Sequence, residues 1–251
     1  PKTPRRQRQM CIRDRYGVWN EITYGEFWTQ VQYVTCALNF FGVEKTDKVA
    51  IHSENRPEWL IADIGIQALG GISVGLYPTN PPAEVKYLLS HSESKILFAE
   101  DQEQVDKALE VIQDVPNLSK IIYFEEKGLF RYESDKLMRW DEFLKIGKEE
   151  FEKNKDFPNF CIDEIKSDDV ALMIYTSGTT GPPKASMLSH GNMEWTASII
   201  PDLSFTPNIS NPEYLSYLPL CHVFGRLVDE IIAINSIGTI NFAESIDTVQ
   251  R

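Results

Sequence analysis

Short apolar runs alternate with amphipathic helical patterns along most of the chain. Runs rich in apolar and β-branched residues predict strands at residues 48–52, 72–76, 95–99 and 120–124. Between these runs, apolar positions that recur every three or four residues predict helices at residues 23–41, 57–69, 82–91 and 101–111. Strands that alternate with helices in this way are typical of α/β proteins, which is the fold class that we predict.

The second half of the chain is less regular. A helix is predicted around residues 139–147, and the polar stretch at 149–160 is interpreted as a connector on the surface. Residues 170–175 form the most strand-like run of the chain, and their nearly continuous apolar character predicts burial on both faces of a sheet. The pattern then predicts a strand at 214–218, a helix at 222–235 and a strand at 239–243.

Composition and charge narrow the function classes. Of the 251 residues, 42% are hydrophobic and 25% are charged, as in an ordinary globular protein, and the net charge is −12. This acidic balance argues against nucleic acid as a partner. Four cysteines without a CxxC pair argue against a disulfide framework or a zinc site. We therefore expect a cytoplasmic protein.

Both ends of the chain differ from the rest. Residues 1–15 carry six basic residues and one acidic residue. A nucleic-acid-binding arm and a targeting peptide are alternatives, but we predict that this segment is non-native sequence and exclude it from the fold. At the other end, residues 245–250 look like the opening of a helix with Ser245 as its N-cap. We therefore expect the chain to be a fragment.

The stretch directly after the 170–175 strand carries the candidate chemistry. Glycines let a backbone curve around a ligand with its N–H groups exposed, hydroxyls bind phosphate oxygens or Mg²⁺, and a lysine adds a positive charge. We therefore predict a polyphosphate-binding loop, although its lysine is not placed as in a Walker A loop. A plain polar connection between two strands is the alternative. The residues are Thr176, Ser177, Gly178, Thr179, Thr180, Gly181, Pro182, Pro183 and Lys184.

Residues 174–184 resemble the AMP-binding signature of the adenylate-forming superfamily, which includes acyl-CoA synthetases and luciferases. Residues 187–192 and 217–224 are similar to two further stretches of that superfamily. The resemblance covers residues 16–251 and implies an incomplete N-terminal domain of stacked mixed β-sheets with flanking helices, with the C-terminal domain absent. Within the superfamily the chain looks most like the long-chain fatty acyl-CoA synthetases, on residues 53–59, 77–80, 91–93 and 241–245.

The resemblance implies a two-step reaction. A fatty carboxylate attacks the α-phosphate of ATP to give acyl-AMP and pyrophosphate, and the thiol of coenzyme A then displaces AMP. Thr176 would be a Mg²⁺ ligand, Lys184 would screen the departing pyrophosphate, and His222 would lie beside the reacting carboxylate. The residues implied to hold the phosphates are Thr176, Ser177, Gly178, Thr179, Thr180, Gly181 and Lys184.

Other features near these motifs leave alternatives open. Capping of the following helix is the alternative role for His222. Cys221 is not expected to pair with His222 as a nucleophile, because adjacent strand residues point to opposite faces. Ala185 departs from the family, which usually has glycine after the signature lysine, and this leaves the loop geometry open.

Five other side chains have structural interpretations. We interpret three histidines as structural because no metal-ligand spacing surrounds them. Two aromatic side chains are interpreted as core residues, with the lining of an acyl tunnel as the alternative. These residues are His52, His91, His190, Trp195 and Phe224.

We therefore predict an ATP-dependent long-chain fatty acid–CoA ligase of lipid metabolism that uses ATP, Mg²⁺ and coenzyme A. The family's later Mg²⁺, ribose and transition-state residues do not occur in this sequence, so we expect this stretch to be inactive alone. Another adenylate-forming enzyme, such as a fatty acyl-AMP ligase or a medium-chain or aryl-CoA ligase, and a non-catalytic fragment are the alternatives. Long-chain substrates partition into membranes, which favours peripheral attachment to an internal membrane. The oligomeric state stays open.

Overall fold

Strands and helices alternate through most of the chain in the computed structural model, which describes residues 9–13, 19–176, 181–199 and 212–243. The strands are β1 Gln9–Arg13, β2 Trp19–Thr23, β3 Lys48–His52, β4 Ile72–Leu76, β5 Ile96–Ala99, β6 Lys120–Tyr123, β7 Leu137–Arg139, β8 Val170–Thr176, β9 Lys184–Ser189, β10 Glu213–Ser216 and β11 Thr239–Phe242. The helices are α1 Tyr24–Phe40, α2 Pro57–Ala68, α3 Pro82–Ser92, α4 Gln102–Val111, α5 Trp140–Lys153, α6 Phe157–Asp163, α7 His190–Ile199, α8 Val223–Gly225 and α9 Ala233–Asn235.

The larger sheet in the described residues has seven strands, in the order β7-β6-β5-β3-β4-β8-β9. All neighbouring strands are parallel except β8 and β9, which are antiparallel. The carboxyl ends of six strands therefore lie along one edge, where open α/β sheets bind their ligands. This arrangement confirms the predicted α/β fold class.

Helices cover both faces of the larger sheet. On one face Val49 and Ile51 of β3 join a core with α1 and α2, and on the other face Ala50 joins a core with α3 and α4. Strands covered on both faces are nearly continuous in apolar residues, as predicted for the run at 170–175. The buried apolar residues of β8 are Ala171, Leu172, Ile174 and Tyr175.

A smaller sheet of four described strands has the order β10-β11-β1-β2. β1 is parallel to β11, with Met10 opposite Ile240, and antiparallel to β2, with Met10 opposite Ile22. Residues 9–13 were set aside from the fold in the sequence analysis, but they hold a central place in this sheet. Ile240 and Phe242 share one core with α1, α2 and the larger sheet. Helices between two sheets match the architecture that the resemblance implies.

Two of the predicted helix starts have clear local causes. The Thr23 hydroxyl accepts a hydrogen bond from the Glu26 amide at 3.2 Å, and the Glu26 carboxylate accepts one from the Thr23 amide at 2.8 Å. This reciprocal capping fixes the start of α1. Pro82 opens α3, where its fixed φ suits the first helical turn.

The interpretation of residues 149–160 as a connector is wrong, because most of the stretch is helical, but most of it does lie at the surface. α5 continues to Lys153, and α6 follows from Phe157. The Phe151 ring packs edge-on against Tyr33 of α1, with 5.6 Å between ring centroids. A Cβ on Gly147 would lie 2.0 Å from the Tyr33 carbonyl oxygen, so α5 and α1 are in close contact there. These contacts with α1 stabilise α5 as a helix, although the many charged residues of the stretch suggested a connector.

The predicted helix at 222–235 is continuous but not uniform. α8 passes directly into a π-helical stretch, Arg226–Ile232, and then into α9. π-helical turns are rare and occur frequently at functional sites.

Among the described residues, none of the helices combines the length and apolar character that membrane spanning requires.

Candidate functional site

The predicted phosphate loop connects β8 and β9 as a hairpin. Thr176 ends β8, Lys184 begins β9, and the two residues are direct partners across the strand pair. Directly opposed residues have their Cβ atoms about 4.5–5.5 Å apart and on the same face. Both side chains are exposed. The predicted loop residues Ser177, Gly178, Thr179 and Thr180 lie outside the described residues, so their assignment stays a prediction.

The described end of this loop has a backbone that requires glycine. Gly181 has a φ of 114°, and a Cβ placed on it would meet no atom within 4 Å. The glycine therefore serves the backbone conformation and leaves open space beside it. Ala185 lies in β9 opposite Tyr175 and is not among the positive-φ residues of the described chain. A strand position accepts alanine, so this departure from the family leaves the hairpin intact.

The turn that carries His222 packs against the same sheet edge. A Cβ on Gly75 of β4 would lie 2.8 Å from the Cys221 Cα, so the absence of a side chain allows this contact. Gly75 is the register partner of Ile174, two residues before Thr176. The residue before His222 therefore packs on β4, the strand next to the one that leads into the hairpin.

Asn55, in the loop after β3, holds the segment that leads into the His222 turn. Its amide nitrogen donates to the Leu218 carbonyl at 2.7 Å and to the Ser216 hydroxyl at 2.9 Å. Its amide oxygen accepts from the Leu220 amide at 3.0 Å. Asn55 was not predicted as part of the site, although it lies within the family-like stretch 53–59.

His222 caps the short helix α8. Its Nδ1 atom accepts a hydrogen bond from the Phe224 amide at 3.2 Å, and the side chain is exposed. Because Nδ1 accepts, the neutral ring carries its proton on Nε2. Within the described part of the chain Nε2 has no partner, so it is a hydrogen-bond donor available to a ligand. The capping role is present, and it sets the tautomer that a substrate-binding role requires.

Cys221 is the buried neighbour of His222. Burial raises the pKa of the Cys221 thiol to about 12, so the thiol stays protonated near neutral pH. This agrees with the expectation that it is not a nucleophile, but the expected reason is wrong. Cys221 and His222 lie in a turn after β10 and not on a strand.

A buried cluster of charged side chains adjoins the His222 turn. The Arg226 amide donates to the His222 carbonyl at 3.1 Å. The Arg226 guanidinium is buried and donates to Asp63 of α2 at 2.8 Å and to Glu230 at 3.2 Å. It also donates to the Ser73 hydroxyl of β4 at 3.3 Å. The cluster ties the π-helical stretch to α2 and β4.

The acidic side chains outnumber the arginine in this cluster. Burial raises the pKa of Glu230, an effect that Asp63 increases and Arg226 opposes. Burial also raises the pKa of Asp229 to about 6, against a smaller lowering by the Ser216 hydroxyl. Neither Asp229 oxygen has a hydrogen bond of normal geometry within the described chain. Burial removes the water that stabilises a charged carboxylate, so a buried carboxyl group without a cationic partner favours its protonated form.

Three other histidines occupy different environments. His52 is fully buried, its Nε2 lies 3.0 Å from the Tyr77 carbonyl oxygen, and burial lowers its pKa to about 4. His91 shares a hydrogen bond with the Tyr175 hydroxyl at 2.7 Å. Burial also lowers the pKa of His190. These contacts agree with the structural interpretation.

The interpretation of Trp195 and Phe224 as core residues is wrong. Trp195 is 65% exposed and Phe224 is 54% exposed. Trp195 lies in the middle of α7, a helix in which no residue is fully buried. Their large aromatic side chains therefore suggested a burial that the structure does not show, and the acyl-tunnel alternative stays a prediction.

Comparison with known proteins decides the family. Residues 2–250 match the AMP-binding enzyme family. The chain belongs to that family. The match extends over nearly the whole chain, so the assignment to this family does not depend on the signature at 174–184 alone.

Two curated relatives illustrate the similarity to AMP-binding enzymes. The long-chain-fatty-acid–CoA ligase ACSBG2 of Xenopus laevis is 32% identical over 90% of this chain and 30% of its own length. The long-chain-fatty-acid–CoA ligase heimdall of Drosophila melanogaster is 29% identical over 90% of this chain and 33% of its own length. The chain thus spans about a third of the curated relatives that it matches.

Solved structures support the fold of an AMP-binding enzyme. An anthranilate CoA ligase, AuaEII, in complex with anthranoyl-AMP matches 95% of this chain and 42% of its own, with a TM-score of 0.73 and 21% identity. ATP-bound MatB from Rhodopseudomonas palustris matches 98% of this chain and 44% of its own, with a TM-score of 0.72 and 22% identity. At these identities the likeness concerns the fold.

Proposed function

We propose that the protein activates a long-chain fatty acid with ATP and transfers the acyl group to coenzyme A. The observation that carries this proposal is the pairing of Thr176 with Lys184 across the β8–β9 hairpin, beside the turn that holds His222. A hydroxyl and a cation at the mouth of a glycine-containing loop suit a polyphosphate. The curated relatives named long-chain-fatty-acid–CoA ligases support the substrate class.

Lys184 would act on the phosphate side of the reaction. Its exposed ammonium group, opposite Thr176, would lie against the β- and γ-phosphates and stabilise the negative charge that builds up as pyrophosphate leaves. The open space beside Gly181 would let phosphate oxygens approach the backbone of the loop.

His222 would act on the carboxylate side. The fatty carboxylate and the α-phosphate are both anionic, so their approach requires hydrogen-bond donors and exclusion of water. The Nε2–H group, fixed by the contact of Nδ1 with the Phe224 amide, would donate to an oxygen of the developing acyl phosphate. Asn55 and Gly75 would keep this ring in place through the backbone of its turn.

Thr176 is the residue that would hold Mg²⁺. This ion keeps most of its water and phosphate ligands and needs few oxygens from the protein. The described residues contain no group of three acidic, histidine or cysteine side chains arranged around a metal. An exposed hydroxyl beside the phosphate loop fits an ion bound mainly through ATP. Mg²⁺ would supply charge neutralisation of the phosphates there.

The decisive experiment is palmitate-dependent ATP–pyrophosphate exchange by the full-length protein. Lys184→Ala should lower the exchange rate by about a hundredfold, since it removes a charge aimed at the leaving group. Lys153→Ala is the matched control, because Lys153 contacts only Glu150 on the surface of α5 among the described residues.

Two outcomes would count against the proposal. No exchange with any fatty acid, from a folded wild-type protein, would overturn the ligase assignment. An unchanged exchange rate in Lys184→Ala would overturn the role of Lys184. Replacing palmitate by medium-chain and aryl acids in the same assay measures the chain-length preference.

A further inference from the structure

Two side chains of helix α3 contact the residues at the two ends of the predicted phosphate loop. The Tyr87 hydroxyl donates to the Pro183 carbonyl at 2.9 Å, directly before Lys184. One helical turn later, His91 Nδ1 shares a hydrogen bond of 2.7 Å with the Tyr175 hydroxyl, directly before Thr176. Two side chains of one helix thus bracket the hairpin loop.

The two contacts form a continuous aromatic unit. The rings of Tyr87 and His91 have centroids 5.4 Å apart, and those of His91 and Tyr175 have centroids 5.6 Å apart with an edge-to-face orientation. Tyr175 is 7% exposed, and burial raises its pKa to about 12, so its hydroxyl remains protonated. Edge-to-face contacts add to the hydrogen bonds in fixing ring positions.

The helix that carries this unit is itself firmly held. Val85, Leu88 and Leu89 of α3 are buried in the core that α3 shares with α4 and the larger sheet. Tyr87 also packs against this core, and Tyr87 and His91 reach from the same helix to the two ends of the loop. A site is held most firmly by residues on rigid elements of the scaffold.

We propose that Tyr87 and His91 are positioning residues that hold the two ends of the 176–184 loop in place for ATP binding. This inference rests on the proposed function of the loop but assigns residues outside it. A loop held before binding loses less conformational entropy when the phosphates dock. The contacts of Tyr87 and His91 with the loop therefore increase the affinity for ATP and leave the rate of the chemical step after binding unchanged.

Tyr87→Phe in the full-length protein is the main test, because it keeps the ring and removes only the hydroxyl. Loss of one hydrogen bond that orders the loop should raise the KM for ATP by about three- to tenfold. The kcat should change by less than about twofold, since the bond is not confined to the transition state. Calorimetric titration with ATP alone should show the same loss of affinity.

Tyr132→Phe is the matched control. The Tyr132 hydroxyl also makes side-chain hydrogen bonds, accepting from Gln102 at 2.9 Å and donating to Asp106 at 2.6 Å, and neither partner belongs to the hairpin. This variant should retain the wild-type KM for ATP. His91→Ala and His91→Asn form a second pair, because asparagine can place a nitrogen or oxygen near the position of Nδ1. His91→Asn should recover most of the ATP affinity that His91→Ala loses.

Three results would overturn the inference. One is an unchanged KM for ATP in Tyr87→Phe, and another is a fall in kcat and thermal stability with ATP affinity unaltered. The third is equal ATP affinity in His91→Asn and His91→Ala. Titration with ATP alone separates this inference from the proposed ligase activity. A wild-type protein that binds ATP but catalyses no exchange would refute the proposed ligase activity. The ATP affinities of the variants would still test the positioning role of Tyr87 and His91.

Discussion

The two halves of the candidate site are built in opposite ways. The phosphate half is one continuous stretch, residues 176–184, closed by the strand pair β8–β9. The half around His222 depends on residues far away in the sequence, because Asn55, Gly75 and Asp63 hold its turn through hydrogen bonds, close contact and an ion pair. The half at 176–184 carries its candidate phosphate-binding groups within nine consecutive residues, and Tyr87 and His91 of α3 contact it from outside. The half around His222, here called the distributed half, is assembled from elements that are far apart in the sequence.

Removing Arg226 should have the largest effect, and it should fall on the distributed half. Arg226→Met leaves Asp63 and Glu230 buried without their cation, which costs about 3–5 kcal/mol of unfolding free energy when one partner of a buried ion pair is lost. Urea denaturation of the full-length protein measures this loss.

A second substitution checks the cause. The double variant Arg226→Met, Asp63→Leu removes both members of the ion pair and should recover part of the lost stability. If Arg226→Met shifts the unfolding free energy by less than about 1 kcal/mol, the cluster does not anchor the His222 turn.

Two glycine substitutions compare the halves directly. Gly75→Ala places a Cβ 2.8 Å from the Cys221 Cα and should cost about 1–3 kcal/mol while lowering kcat, because the His222 turn must move. Gly181→Ala meets no neighbouring atom but keeps a φ of 114°, so it should cost about 1 kcal/mol and raise the KM for ATP. Denaturation midpoints and exchange kinetics measure both effects.

Gly25→Ala is the control for this pair, since its nearest contact would be the Thr23 hydroxyl at 3.9 Å in the first turn of α1. It should leave both kinetic constants unchanged. The comparison fails if Gly75→Ala alters only the KM for ATP, or if Gly181→Ala alters only kcat.

The effect expected from Asp229→Asn differs from the others because it depends on pH. The folded state binds the Asp229 proton more tightly than the unfolded state, because burial raises the pKa from 3.8 to about 6. Wild-type stability therefore falls as pH rises through this window, and asparagine removes that loss. The melting temperature of the variant should therefore exceed that of wild type by several degrees at pH 7.5. Scanning calorimetry at several pH values measures this difference.

Well below pH 3.8 the difference in melting temperature should vanish, because Asp229 is then protonated in both states. A pH-independent difference would mean that packing, and not proton uptake, distinguishes the two side chains.

The sequence predicted the parallel strands and the hairpin half of the site because both leave local signals. Buried parallel strands are continuous apolar runs, and a phosphate loop needs glycines and hydroxyls close together. Asn55 and Gly75 leave no such signal. Their roles arise only when the chain is folded, from hydrogen bonds across 163 and 165 residues and from a contact that requires a missing Cβ.

The errors also have physical causes. Charged residues on the outer face of α5 concealed an apolar stripe that packs on α1, so residues 149–160 were taken for a connector. β9 was missed because most of its side chains are not buried, and an exposed edge strand has no strict alternation. Trp195 and Phe224 show the converse, since large aromatic residues suggested a core that does not cover them.

The position of β1 has a consequence for the order in which the chain folds. Met10 of β1 lies opposite Ile240 of β11, so these neighbours are about 230 residues apart in the sequence. β1 and β2 can pair as soon as both have been synthesised, but the other edge of β1 must wait for β11. Pairing over such a separation is slow. Closure of the smaller sheet should therefore be a late step that follows assembly of the seven-stranded sheet, and an unpaired β1 edge would expose the nascent chain to wrong partners until then.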